Sequence, residues 1–307
     1  MKKNIIVTTT INPPTEALRR FAEMDGWELL VVGDLKTPHE DFSSLNCKYL
    51  GPEEQSEKYP TLSELIGWNS IQRRNLGFLE ALSVGAEVIA SVDDDNIPLD
   101  GWGSNLIVGS QMELDSYSGN MVFDPLAVTN YPHLWHRGFP IQRLRDRVYK
   151  SSTSSIFVGV QAGFWNGDPD VDAICRMEHG PNCSFDDAPF PFTTSAFSPF
   201  NSQNTFITRE VAKNYFMFPG IGRMDDIWAA YYVEALGHRV AYTSASVVQE
   251  RNVHDLTRDF EGEVIGYTKT EQLLQNLESD PQAIFSFLPE KSGLAFKEYL
   301  RLAHSLG

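Results

Sequence analysis

An apolar run, EVIASV at 87–92, ends in three consecutive aspartates, Asp93, Asp94 and Asp95. Adjacent carboxylates repel one another. A divalent cation relieves that repulsion, and Mg²⁺ or Mn²⁺ takes hard oxygen ligands while leaving positions for phosphate oxygens. The competing reading is a solvated acidic turn, because Asp is common in turns. The surroundings favour the cation. Polar residues also close two earlier apolar runs: Thr8, Thr9, Thr10 and Asn12 at the end of the first, and Asp34 at the end of the second. In open parallel α/β sheets ligands bind outside the carboxyl ends of the strands.

Further groups with chemical potential lie on either side. Arg73, Arg74 and Asn75 sit in NSIQRRNLGF just upstream. Arginine offers fork-like donors to phosphate. Neighbouring helix positions point about 100° apart, so the pattern gives one of the two arginines a diphosphate-facing role without selecting it. Asp225 and Asp226 open an apparent helix after GIGRM. Carboxylates there cap the helix and suit its dipole; equally, they suit a general base or a ligand for sugar hydroxyls. HRGFPIQRLRDR gathers His136, Arg137, Arg143, Arg145 and Arg147, either as a surface basic patch or as a phosphate-facing site. GFWNGDPDVDA sets Trp165 beside Asp168, Asp170 and Asp172. An aromatic face with carboxylates is one way to hold a sugar, and the segment lacks the Gly and distal Glu of an EF-hand. His254 is either a further metal ligand or a structural residue.

These groups need a scaffold, and the chain supplies one. NIIVTTT, WELLVVGD and EVIASV read as buried strands, with TEALRRFAEMDG and SELIGWNSIQRRNLGFLEALSVG as helices between them. Strand and helix alternate as in a parallel sheet covered on both faces. Short strands are expected at CKYL, MVF and IFVGVQAGFW, with a later strand at HRVAYTSASVV. Helices are expected at TREVAKNYFMF, at DDIWAAYYVEALG and in the tail. The 307 residues are 42% hydrophobic, enough for a large core, and the formal charge is −16. So acidic a chain is a poor partner for nucleic acid or anionic membranes. Three cysteines without a CxxC pair suggest reduced thiols. No apolar stretch is long enough for a membrane span or a signal h-region, which gives an expectation of a cytoplasmic protein. A homo-oligomer is compatible with all of this.

The clusters, taken in order, resemble a known family. VTTTINPPTEAL, VVGDLKTP, QRRNLGFLEALSVGAEVIASVDDDN, RGFP, GFWNGDPDVDA, NSQNTFITRE, GRMDDIWAAYY and QERNVHDLTRDFEGE together resemble the reversibly glycosylated polypeptides, which are UDP-arabinopyranose mutases, and still more the related STELLO-type glycosyltransferase domain. The resemblance implies a GT-A-like, Rossmann-type nucleotide-sugar fold with a mostly parallel central sheet. It implies one catalytic domain over 1–263, with a nucleotide half at 1–100 and a sugar or acceptor half at 101–263, followed by a helical extension at 264–307. By position it assigns Asp93 to Asp95 to Mn²⁺ or Mg²⁺ and the diphosphate; the mutases' histidine after the late strand has no direct match, and His254, further along, is the candidate that would complete the metal site. Thr8, Thr9, Asn12, Asp34, Arg73, Arg74 and Asn75 fall to the nucleotide, and Trp165, Asp170, Asp172, Asn204 and Arg143 to the sugar. Arg137 matches the arginine of the mutase RGYP motif, and Asp225 and Asp226 stand as further catalytic groups. The mutase pattern carries another arginine seven residues on, where this chain has Leu144, with Arg143 or Arg145 as substitute. The leading expectation is a metal-dependent nucleotide-sugar mutase with Arg137 at the anomeric centre. The alternatives are a glycosyltransferase using the same donor and a non-catalytic nucleotide-sugar binder.

Overall fold

The computed structural model describes residues 3–249 and 255–306, so His254 lies outside the described residues. Ten strands form one sheet in the order β3-β2-β1-β4-β9-β7-β6-β8-β10-β5. They are β1 (Asn4–Thr10), β2 (Glu28–Gly33), β3 (Lys48–Leu50), β4 (Val88–Val92), β5 (Asn96–Pro98), β6 (Gln111–Ser118), β7 (Lys150–Gly167), β8 (Phe192–Thr194), β9 (Asn204–Thr208) and β10 (Arg239–Gln249). The helices are α1 (Glu16–Ala22), α2 (Pro52–Lys58), α3 (Pro60–Ile66), α4 (Arg74–Ser83), α5 (Ala173–His179), α6 (Arg209–Ala212), α7 (Asp225–Ala235), α8 (Leu256–Leu277) and α9 (Glu290–Ser305).

The expected parallel sheet is present in the first half only. β3, β2, β1 and β4 pair in parallel, and their near-continuous apolar runs are buried as such strands require. From β9 onward the sheet is mixed: β9 runs antiparallel to β4 and β7, β6 antiparallel to β7, and β10 parallel to β7. The expectation of a mostly parallel sheet is therefore corrected. Long β7 takes β6 and β9 as antiparallel partners and β10 as a parallel one. The MVF stretch contributes only an isolated bridge between Val122 and Phe197, and the helix expected at TREVAKNYFMF is confined to α6.

A second correction concerns the segment before α4. Its periodicity predicts one helix ending at Gly85, but the chain breaks after α3. Gly67 has φ +82° and Asn69 φ +56°, left-handed conformations that glycine and asparagine tolerate best. Asp34 at the end of β2 holds the break open, accepting from Asn69 N and Ser70 N at 2.9 Å each. A tertiary contact thus interrupts a helix-compatible sequence.

The C-terminal region is continuous with the rest. α8 runs unbroken through position 263, the expected end of the catalytic domain. In α9, Phe296 packs against Phe216 and Phe218 with ring centroids 5.5 and 5.0 Å apart, and the Tyr299 hydroxyl donates to Ala212 O at 2.6 Å.

α4 lies close on the sheet at Gly77, where an added Cβ would sit 2.4 Å from Val7 Cγ1 and 2.8 Å from Val32 Cγ2. Alanine gains about 1 kcal/mol of helix propensity over glycine, whereas overpacking typically costs about 1–3 kcal/mol. Packing is expected to win. Gly77→Ala should lower the urea midpoint, and an unchanged or higher midpoint would show that the α4–sheet spacing can give.

Candidate functional site

Two adjoining hollows open at the carboxyl ends of β1, β2 and β4, with exposed Ile71 in the wall of both. The aspartate triplet divides them. Asp94 turns to the first hollow, of about 230 Å³, where the Thr10 hydroxyl and Asn12 Nδ2 (3.0 Å) donate to its Oδ2. The Thr15 hydroxyl donates to the Asp94 carbonyl at 2.5 Å, tying the triplet to the start of α1. Asp93 and Asp95 line the second hollow, a cleft of about 240 Å³. Arg74, almost wholly buried, orients Asp93 through Nη2 to Oδ1 at 2.7 Å and grips Ser202 from its other terminal nitrogen.

The triplet was read as a cation site. Among the described residues no three His, Cys, Asp or Glu side chains converge as a cage for an ion. Mg²⁺, however, is commonly held by only one or two carboxylates together with substrate phosphates and water. Asp93 and Asp95, both facing the cleft, fit that smaller requirement. Asp94, turned to the other hollow and hydrogen-bonded there, does not share it.

At the back of the cleft stands Arg137, 7% exposed. Its guanidinium meets Asp170 from Nε (2.8 Å) and Nη2 (2.9 Å), and Asp226 from Nη1 (3.0 Å) and Nη2 (3.2 Å). Nη1 also donates to the Arg223 carbonyl. All five N–H groups therefore have acceptors. The paired carboxylates outweigh the burial that opposes charge and hold the guanidinium pKa well above its ordinary value. The loop is fixed from below: His136 Nδ1 donates to Arg137 O at 2.7 Å, and the Tyr231 hydroxyl to Gly138 O at 2.9 Å. Gly138 has φ +87°, and a Cβ there would come within 2.2 Å of Ile227 Cγ2. RGFP can seat on α7 only with glycine at that place.

Asp225 and Asp226 begin α7 without capping it. The N-cap is Met224, and no side chain makes a cap hydrogen bond there. Asp226 is committed, since besides Arg137 it accepts from Ser202 N at 2.9 Å and Ser202 Oγ at 3.2 Å. Asp225 also lines the cleft and accepts from Gln72 Nε2 at 2.6 Å. Burial, reinforced by the charge of Asp226, pushes its carboxyl up to about 7. A neutral amide contact and a pKa raised toward neutrality are properties of a proton-transfer group.

Other expected residues border the hollows or lie away from them, and Arg73 is in the wall of the first hollow with its donors turned inward. Arg73 is fully buried over the Trp68 ring (3.7 Å), and its donors are taken by Gln55, Ser63 and Gly67, so it fixes α2, α3 and the break after them instead of offering donors to a diphosphate. Desolvation lowers its pKa to about 10. Asn75 exchanges two hydrogen bonds with the backbone of Met217. Thr8 is buried within β1, while Thr9, Asn12 and Asp34 do line the first hollow. Trp165 is core, edge-on to His136. Asp172 caps α5 through Cys175 N and accepts from Trp135 Nε1, and burial raises its carboxyl to about 7. Asn204 is occupied by Trp102, Phe164 O and Ser246. Arg143 pairs with Glu271 of α8 at 2.7 Å. For these last four, the expected sugar contacts are corrected to structural roles, because their polar atoms or ring faces are turned into the core or onto a neighbouring helix. Asp170 remains in the cleft wall.

The cleft also contains residues the sequence did not single out: Gln72, Ser202, Gln203, Gln249 and Arg223. Gln203 donates to Gln249 at 3.0 Å, and Arg223 is held by Glu263 (2.9 Å) and Asp259 (3.2 Å) of α8. Gln72 adjoins the two noted arginines, and Ser202 and Gln203 lie inside NSQN, so proximity to motifs was the available signal. Neutral glutamines carry no charge pattern by which a sequence would reveal them.

No family model matches the chain. It is 27% identical to the probable glycosyltransferase STELLO2 and 28% identical to the probable glycosyltransferase STELLO1, both of Arabidopsis thaliana, over 183 residues in each case, or 55% of this chain and 24% of each relative. The matched region is thus about a quarter of the length of these curated relatives, and the match agrees with the STELLO-type resemblance of the ordered motifs. Among solved structures, the chain is similar to glucosyl-3-phosphoglycerate synthase from Mycobacterium tuberculosis in complex with phosphoglyceric acid, with TM-score 0.46 and 12% identity over 90% of this chain and 80% of that one. The same enzyme with Mn²⁺, uridine diphosphate and glucosyl-3-phosphoglycerate gives TM-score 0.47 at 12% identity, again covering 90% and 80%. No helix among the described residues is long and apolar enough to cross a membrane.

Removing Arg137 would strand two buried carboxylates, and breaking such a pair typically costs about 3–5 kcal/mol. Arg137→Met is expected to lose stability on that scale in urea unfolding. Arg137→Lys should recover little, because an ammonium cannot bridge two carboxylates as a fork does. Combining Arg137→Met with Asp170→Asn should cost less than the sum of the single changes.

Proposed function

We propose that the chain is a glycosyltransferase that moves a sugar from a nucleotide donor to an acceptor hydroxyl, with a divalent cation as cofactor. The observation that carries this reading is Asp225, a buried carboxylate of raised basicity that faces the cleft and does not cap its helix. The likeness to the probable glycosyltransferases supports it. The nucleotide would lie in the first hollow, against the turn organised by Asp34, and the sugar in the cleft.

Asp93 and Asp95 would hold Mg²⁺ or Mn²⁺, which neutralises charge on a leaving diphosphate when bound. Asp225 accepts the acceptor's proton as that oxygen bonds to the anomeric carbon and the bond to the phosphate oxygen breaks. Arg137 fixes Asp170 and Asp226 around the sugar and is itself a positioning residue. This favours transfer over the mutase. A guanidinium with five occupied donors and a pKa well above the ordinary range has no nitrogen lone pair to offer a sugar.

Incubation with nucleotide sugars and Mn²⁺ but no acceptor distinguishes the two reactions. Transfer predicts at most slow hydrolysis, with glycoside formed once an acceptor saccharide is added; a furanose isomer would instead establish the mutase. Asp225→Asn is expected to lower turnover by about 10²–10⁴-fold while leaving nucleotide binding in place. Wild-type kcat should fall as pH drops through about 7, where the base becomes protonated.

The cation assignment has its own test. Chelation, or Asp95→Ala, should abolish the cation-dependent part of nucleotide binding measured by calorimetry. Binding that is indifferent to both would remove the aspartates from that role.

A further inference from the structure

The strip Asn69–Gln72 runs between the two hollows, with Ile71 in the wall of each. At one end its backbone is fixed by Asp34, which accepts from Asn69 N and Ser70 N at 2.9 Å each. At the other end the Ser70 hydroxyl donates to Gln72 Oε1, and Gln72 Nε2 donates to Asp225 Oδ2 at 2.6 Å. A carbonyl oxygen can only accept and an ionised carboxylate can only accept. The ionised carboxylate therefore requires the NH₂ end of the Gln72 amide to face Asp225, and the Ser70 hydroxyl, able to donate, satisfies the oxygen at the other end. An amide turned the other way would set two acceptors against each other.

We infer that Gln72 is a positioning residue that keeps Asp225 ionised and aimed into the cleft, and that Ser70, whose backbone N–H is held by Asp34 in the neighbouring hollow, supports the Gln72 amide in that orientation. The inference rests on the reading of Asp225 as the base. It also links the first hollow to the proton-transfer group through a run of hydrogen bonds from Asp34 by way of Ser70 and Gln72 to Asp225. The other groups around Asp225 act independently of this amide. Asp226 sits beside it on α7, Arg137 reaches in from the RGFP loop, Tyr215 lies buried nearby, and Asp93, Asp95 and Arg223 line the same cleft. All remain in place when Gln72 is replaced.

The test titrates aspartate carboxyl groups by ¹³C NMR in the whole chain, with Asp225→Asn assigning the Asp225 resonance. In Gln72→Met, which keeps length and volume but removes the donor, the Asp225 midpoint should rise by about one pH unit. Ser70→Ala should raise it less and in the same direction. If turnover is measured alongside, its acid limb should move with the midpoint. A raised midpoint with an unmoved acid limb supports the inference and removes Asp225 from the base role. An Asp225 midpoint unchanged in both Gln72→Met and Ser70→Ala overturns the inference, whatever the turnover does.

Discussion

The cleft depends on one buried ion-pair cluster. Arg137 stands between Asp170, which follows β7, and Asp226 at the start of α7, and bonds to both with the same guanidinium. Two carboxylates this close and this buried would not both stay ionised without it. Through Asp226 the cluster reaches Ser202, and through Ser202 it reaches Arg74 and Asp93. The acidic triplet, the RGFP loop, the β7 exit and α7 are thus fixed relative to one another by a single connected set of charges. Asp225 stands beside this set without being neutralised by it. Among the described residues Asp226 is ion-paired with Arg137 and Asp225 instead accepts from the neutral Gln72 amide, which distinguishes two adjacent aspartates of identical chemistry.

Much of this was legible in the sequence. The three polar strand ends followed from apolar runs stopping at Thr10, Asp34 and Asp93, and the structure brings all three to one edge. α7 and β10 followed from pattern alone. What was not legible shares a physical cause: local pattern does not report long-range hydrogen bonds. The segment 63–85 has helical spacing, yet Asp34, about thirty residues away in sequence, claims the amides that would have continued the helix. Trp165 and Asp172 have the composition of a sugar platform, but β7 faces Trp165 inward and α5 requires Asp172 as its cap. Arg73 and Arg74 are equivalent as letters and both are buried; one is shut under Trp68 and the other reaches Asp93, a difference of direction and partners.

The C-terminal helices illustrate the same point from the other direction. Positions 264–307 read as an extension because they are polar and lie beyond the last motif, QERNVHDLTRDFEGE, although that motif already contains the first eight residues of α8. α8 nonetheless supplies Asp259 and Glu263 to Arg223 on the cleft wall, and Gly222 fits against the Gly262 carbonyl so closely that a Cβ would come within 2.1 Å of it. Glu263 also receives the Ala173 amide at 2.7 Å. The wall of the cleft is therefore assembled from both ends of the second half of the chain.

The division of the acidic triplet has a consequence of its own. Asp94 and its two neighbours face different compartments because the triplet forms a tight turn after β4, with Asn96 N donating to Asp93 O at 3.4 Å. The offset between the compartments is then set by covalent geometry, about 3.8 Å from one residue to the next. Such a spacing cannot drift as side-chain packing drifts. Substitutions elsewhere can widen or narrow either hollow, but the tripeptide acts as a fixed gauge between them, and only an insertion or deletion within it would put the two out of step.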